Sequence, residues 1–182
     1  MSEAAHLGLF GFGMADDGDL LVIRETVREE WLDHNGHMNV AAYLIAFDSA
    51  VRTLCTGLGI GPDQIPLSGK TIFVGQANIV YRNELVRGSR IRITARILAV
   101  TDGRAHACLS MYDEDRDVLA AFNEQLFVCA DMSTRRPCPF PPVPQERFRA
   151  VFEAQRRFPV PKFVGRCIRL EPDPAGHGGD VS

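Results

Sequence analysis

The sequence has five cysteines, Cys55, Cys108, Cys129, Cys138 and Cys167, but no CxxC pair and no cysteine spacing that suggests zinc. The odd number excludes a complete set of disulfides, and reduced thiols of a cytoplasmic protein are the expectation. Cys108 and Cys129 lie in apolar runs and are expected to pack as small hydrophobes. A basic leader is missing too. The opening "MSEAAHLGLFGFGMADDGD" carries Glu3, and its "LGLFGFGM" is too short and too glycine-rich for a signal or membrane helix. Positive charge is not in excess. A net charge of −3 argues against nucleic acid as the partner, and no membrane partner is expected. An anionic small ligand stays open, because Arg82, Arg87, Arg90, Arg92 and Arg96 cluster. Internal repeats are absent.

What is present suits one globular domain. The 182 residues are 46% hydrophobic and 24% charged, enough to bury a core without staples. Residues 1–18 and 171–182 are expected to be loose. "LLVIRETVR", residues 20–28, is β-branched and reads as a strand. A helix follows over 40–56, which Asn39 can cap and Gly57 and Gly59 can end. It is apolar on nearly every face, so a broad element should wrap it. Asp48 and Arg52, four apart on its polar stripe, suit an ion pair. Residues 71–84 and 89–100 read as strands. In the second, Ile91, Ile93, Ala95 and Ile97 face one side, and Arg90, Arg92, Thr94 and Arg96 the other, which predicts one packed and one wet face. Asp102-Gly103 marks a hairpin to a return strand over 105–112, and residues 118–130 read as the last strand. The expected order is strand, helix, then four strands joined by tight turns. That is α+β, an antiparallel sheet against one long helix. "RRPCPFPPVP" reads as a polyproline strap, and residues 145–158 as an amphipathic helix, with Phe148, Val151, Phe152 and Phe158 near helical spacing, that docks on the domain or on a second subunit.

The chemistry concentrates in "WLDHNGHMNVAAYLIAFDSA", which starts at Trp31. A helix start carries N–H groups without intrahelical partners, and the helix dipole adds positive charge. A developing oxyanion is favoured there, and one such donor is worth roughly 100- to 1,000-fold in rate. Asp33 precedes that end, where a carboxylate can activate water or attack a carbonyl. Gly36 permits a tight turn. His37 can place a water or shuttle a proton, and Asn39 can cap the helix or bind a carbonyl. Each residue alone also has an ordinary structural reading as a cap or turn former. Asp33, His34 and His37 could hint at a metal, but no further strong ligand cluster stands out, so no metal is expected.

The run "DHNGHMN…Y" resembles the D-x-x-G-H-x-N signature of hotdog-fold acyl-CoA thioesterases of the 4-hydroxybenzoyl-CoA thioesterase-like group. With "YRNE", the strand ending before "RRP", and "FVGRCIRL", the chain is similar to thioesterases acting on betainyl-CoA in carnitine breakdown. The resemblance implies a single hotdog domain over 19–135, with the strap and C-terminal helix, 136–170, packed upon it. It implies hydrolysis of an acyl-CoA to the free acid and CoA, without a cofactor. Asp33 matches the catalytic acid, and His37 and Asn39 match loop positions. Gly36, Met38 and Val40 would line the oxyanion site. Where the closer group has an acid and a histidine on the long strand, this chain has Gln76 and Asn78. Trp31, Tyr43, Phe47 and Tyr81 could offer faces to a quaternary ammonium, and Asp48 or Glu124 a charge. Lys70, Arg82 and Arg87 are candidates for the CoA phosphates. The resemblance also implies a homodimer or dimer of dimers, joined along the long strand, with Gln76 and Asn78 near the partner's site.

Two other readings compete. A hotdog hydratase or dehydratase would use D-x-N-P-x-H, with its Asp and His five apart. Here Asp33 and His37 are four apart, which favours the thioesterase. A non-catalytic acyl-CoA-binding module would keep the cleft but not need Asp33.

Overall fold

The structure, a computed structural model, describes residues 8–168. Its elements in chain order are β1 (Gly13–Met14), β2 (Leu20–Thr26), α1 (Val40–Gly57), α2 (Ile65–Ser68), β3 (Lys70–Tyr81), β4 (Arg90–Val100), β5 (Arg104–Asp113), β6 (Val118–Asp131) and α3 (Pro142–Gln155). The six strands form one sheet in the order β1-β2-β4-β5-β6-β3, antiparallel throughout.

α1 packs on the inner face of this sheet. Its buried side presents Ala42, Tyr43, Ala46, Phe47, Ala50, Val51, Leu54 and Cys55. Facing it are Ile91, Ile93, Ala95 and Ile97 of β4, all at 2% exposure or less. The alternation of "SRIRITARILAV" therefore places the core as its pattern predicts. Gly59 adopts φ 82° just past the helix, where its N–H bonds the Thr56 carbonyl at 3.0 Å. A left-handed residue there lets the chain fold back under α1. Arg147 of α3 adds a cation at this end and donates to the Gly57 carbonyl at 2.9 Å.

Four expectations need correction. First, the connection after β3 is no tight turn. β3 pairs with β6, so residues 82–89 cross the end of the molecule before β4 begins. Leu85, fully buried, anchors that crossover. Second, α1 is not wrapped all round. Val40, Leu44 and Ile45 are 61%, 45% and 57% exposed, beside an open edge strand on which Phe73, Val74 and Tyr81 are also exposed. Third, the far face of β4 is not uniformly wet. Arg96 is 4% exposed and ion-paired to buried Asp19, and it donates to the backbone carbonyls of Asp17 and Pro159. The segments around Asp17 and Pro159 thus cover this part of the face. Fourth, residues 8–18 carry structure, while the expected looseness of 1–7 and 171–182 lies outside the described residues. Gly13 and Met14 pair with Leu21 and Leu20, and Phe12 is buried against Gly57.

The strap is shorter than "RRPCPFPPVP" suggested. Pro142 and Pro144 sit in the first turn of α3, where proline's missing N–H costs nothing. Gly103 has its glycine because of the strap: a Cβ there would lie 2.5 Å from the Cys138 carbonyl oxygen. At the other end of α3, Gln155 finishes the sheet edge. Its Oε1 accepts from the Ile97 N–H at 2.8 Å and its Nε2 donates to the Ala95 carbonyl at 3.0 Å. β2 stops pairing at Ala95, so these backbone groups would otherwise be buried without partners. Among the described residues, no single helix is long and apolar enough to cross a membrane; α1 and residues 62–68 pass such a test only as a pair bent by 46°.

Candidate active site

The loop before α1 closes on itself. The Asp33 N–H donates to the His37 carbonyl at 2.8 Å, and the Gly36 N–H returns to the Asp33 carbonyl at 3.0 Å. Gly36 sits at φ 77° with open space around it, so the constraint there is conformational and not steric. Leu32 bridges Met38 across the base of the loop. The crossover then pins it: the Met38 N–H donates to the Leu85 carbonyl at 2.7 Å, and His37 bridges Val86.

Asp33 is held at one oxygen. Its Oδ1 accepts from the Asn35 N–H at 2.8 Å and the His37 N–H at 3.4 Å. Oδ2 has only a long contact, 3.4 Å, from Asn35 Nδ2. These N–H groups, Asn35 first, hold the Asp33 carboxyl below the ordinary carboxylate value. The result is an ionised carboxylate with one oxygen fixed and one available. The His37 ring turns the other way, with Nε2 3.4 Å from a Glu84 oxygen.

The helix start is less open than four free N–H groups would make it. Asn39 Oδ1 accepts from Ala41 at 2.8 Å, and the Asn39 carbonyl accepts from Ala42 at 2.8 Å and Tyr43 at 3.4 Å. Val40, the first helical residue and exposed, keeps the open N–H. Asn39 is thus a cap, as its type predicts. Tyr81 stands beside it. Its hydroxyl reaches the Val40 carbonyl at 3.5 Å, and its ring meets Tyr43 edge-on at 5.3 Å.

The remaining candidates do not gather here within one chain. Trp31 is 7% exposed under the Arg28 guanidinium, and Phe47 is wholly buried in the core. Asp48 pairs with Arg52 at 3.1 Å, the helical pair its spacing suggested. Glu124, Gln76 and Asn78 line a cavity of about 420 Å³ on the outer face of the sheet. There Glu124 takes His106 Nε2 at 2.7 Å and the Gly165 N–H at 2.8 Å, and Asn78 donates to the Arg166 carbonyl at 2.8 Å. Lys70 pairs with Asp131 at 3.1 Å and Arg87 with Glu29 at 2.9 Å. Arg82 lies over the Phe163 ring at 5.6 Å. Among the described residues no group of three or more His, Cys, Asp or Glu is placed to hold a metal.

Sequence reasoning passed over Leu85 and Val86, whose backbone holds the loop, because nothing in their types marks them. It also passed over Asn123 and Gln125. Strand parity was the available signal, since both share a face with Ala121 and Phe127.

Comparison with known proteins points one way. A family model described as "Thioesterase-like superfamily" matches residues 27–148. A betainyl-CoA thioesterase of Pseudomonas aeruginosa is 30% identical over 146 residues, covering 80% of this chain and 92% of that protein. A Ruegeria pomeroyi L-carnitine dehydrogenase/betainyl-CoA thioesterase is 29% identical, covering 82% of this chain but 30% of that protein. A Staphylococcus aureus protein solved in complex with CoA superposes with a TM-score of 0.79 at 27% identity, covering 84% of this chain and 97% of that one.

Proposed function

This chain belongs to the thioesterase-like superfamily, and on that premise we propose that it hydrolyses an acyl-CoA to the free acid and CoA, with Asp33 as the reacting carboxylate. The observation that carries the proposal is the half-tethered Asp33, ionised and placed on a closed loop that leads directly into the helix start. Asp33 Oδ2 takes a proton from water as the water oxygen attacks the thioester carbonyl. The carbonyl electrons move to oxygen, and the Val40 N–H faces that developing charge. Collapse of the intermediate breaks the C–S bond and releases CoA as its thiol, with the proton returned from Asp33. Direct attack by Asp33 would instead break the C–S bond to form a mixed anhydride, and the CoA thiolate takes up the proton that water gives up when it opens that anhydride. The roles of His37, Asn39, Gly36 and Met38 are to hold this loop.

A second copy of the chain covers the open side in this proposal. The exposed apolar groups Val40, Leu44 and Ile45 on α1 adjoin the unpaired edge of β3, and an exposed long edge is an association surface. The groove of about 360 Å³ between α1 and β3, lined by Val51, Cys55, Ile72 and Val74 among others, opens on that side. The acyl group would lie on this open side, beside the start of α1 and shared between subunits.

Release of free thiol from a panel of acyl-CoAs tests the reading. Betainyl-CoA belongs in the panel because a relative is named for it. Turnover of at least one member is the expected result; none across short aliphatic, aromatic, hydroxylated and betainyl thioesters would remove the proposal. A single turnover in oxygen-18 water separates the two chemistries, since label enters the Asp33 carboxylate only by the anhydride path.

A further inference from the structure

Among the described residues, Asn123 and Gln125 on β6 are buried amides with unpartnered atoms. Asn123 is 0% exposed and Gln125 5%. Asn123 Nδ2, Asn123 Oδ1 and Gln125 Oε1 have no hydrogen-bond partner. Both residues share strand parity with Ala121, Phe127 and Cys129, all core residues, so both face the layer occupied by α1. The one hydroxyl on the buried side of α1, Tyr43, is engaged elsewhere and donates to the Asn83 carbonyl at 3.3 Å.

Buried carboxamides are nearly always paired, and an unpaired one is costly to keep. Leucine at either position would pack without that cost. Their surroundings suggest what completes them. Gln125 lies between Ala77 of β3 and Ala107 of β5 in register. β3 is the sheet edge, and Ala77 is exposed. Ala77 thus stands between Gln125 and the open edge, and Asn123 stands opposite Ile79, two residues from Tyr81, whose hydroxyl reaches the Val40 carbonyl at the start of α1. Same-face neighbours on a strand stand about 7 Å apart, so two amides can address one short acyl group.

We propose that Asn123 and Gln125 form the polar wall of the acyl pocket and select short acyl groups with a polar head over aliphatic ones. This rests on the thioesterase reading above and narrows it. The shared chemistry is a head group that faces amide oxygens, either a hydroxyl that donates to them or an ammonium whose N-methyl groups are polarised toward them. A pocket built for a polar partner rejects an apolar isostere strongly, because its own groups are then left unpaired.

Two isosteric pairs test this: betainyl-CoA against 3,3-dimethylbutyryl-CoA, and 3-hydroxybutyryl-CoA against 3-methylbutyryl-CoA. The parent enzyme should favour the polar member of at least one pair by about 100-fold or more in kcat/KM. The pair that responds tells ammonium from hydroxyl. Asn123→Leu with Gln125→Leu should bring that ratio within about threefold of unity, mainly by loss on the polar member. The melting temperature of the double variant should rise, because two unpaired buried amides are gone. No polar preference in either pair, a preference that survives the double variant, or a fall in melting temperature in both single variants would overturn the inference. If the parent hydrolyses acyl-CoAs but without preference, only this inference fails. If it hydrolyses none, the thioesterase reading fails first.

Discussion

The Met38 N–H and the Leu85 carbonyl meet at 2.7 Å, joining the loop that carries Asp33 to the crossover between β3 and β4. The two residues are far apart in sequence, and both are buried. The site therefore inherits its rigidity from the crossover. Leu85→Ala should cost about 2–5 kcal/mol of stability, as removal of a buried leucine does. It should also lower kcat more than it raises KM, because the loop loses its seat. Urea unfolding with steady-state kinetics on one substrate checks both, and unchanged kcat in a destabilised variant would disprove the coupling.

Asp33→Asn should reduce turnover by at least about 100-fold with little change in melting temperature. Asn35 and His37 can still donate to an amide oxygen, so the loop keeps its closure. A variant with parental turnover would rule out Asp33 as the reacting group.

The pH profile should carry the mark of the same bonds. N–H groups hold the Asp33 carboxyl below 3.8, so its ionised form is favoured in the folded state. Activity that depends on Asp33 should persist down to about pH 4 and fall only below it. The Asp33→Asn variant should lose that acid limb. An inflection near neutral pH assigned to Asp33 by its disappearance in the variant would contradict this.

Asp19 behaves oppositely. Burial first, then the charge of Asp17, push its carboxyl up to about 6, against the pull of Arg96 and Thr94. A raised folded value means that the folded chain binds this proton more tightly than the unfolded chain. Its contribution is therefore full below 3.8 and is lost as pH rises through about 6. The urea midpoint of the parent should fall between pH 4 and 6.5 relative to Asp19→Asn, which has no such proton to lose. Parallel profiles for the two proteins would refute the shift.

Cys129 Sγ lies 3.7 Å from Cys138 Sγ, across the antiparallel contact between β6 and the strap. All the thiols of the described residues are free, and Cys55, Cys108 and Cys129 are buried. A mild dithiol oxidant such as diamide should join this pair before any other. Peptide mapping after alkylation reads the product, and a first disulfide involving Cys167 or Cys55 would show that access and not proximity decides.

A dimer joined along α1 and β3 should not survive a charge at its centre. Ile45→Glu should halve the mass in solution by light scattering and abolish turnover, since the groove between α1 and β3 would lose its second wall. A monomeric parent with full activity would defeat the proposal.

The amino-acid sequence by itself determined the local features. Asn39 before an apolar run starts α1, and Gly59 past its end stops it, because caps depend on neighbours a few residues away. The polar loop from Asp33 is legible for the same reason: its bonds span four residues. The alternation of β4 also names its buried side. Tertiary structure decided the rest. β3 sits beside β6 and not β4, a choice made by long-range pairing that no turn signal announces. Arg96 reads as a solvent-facing strand residue until the segments around Asp17 and Pro159 fold over it and Asp19 pairs with it. α1 reads as wrapped on every side, yet one face stays open because the sheet ends at β3. Asn123 and Gln125 read as polar residues in a mixed strand. Only the packed layer turns them inward without partners, and this leaves the acyl pocket a chemistry of its own.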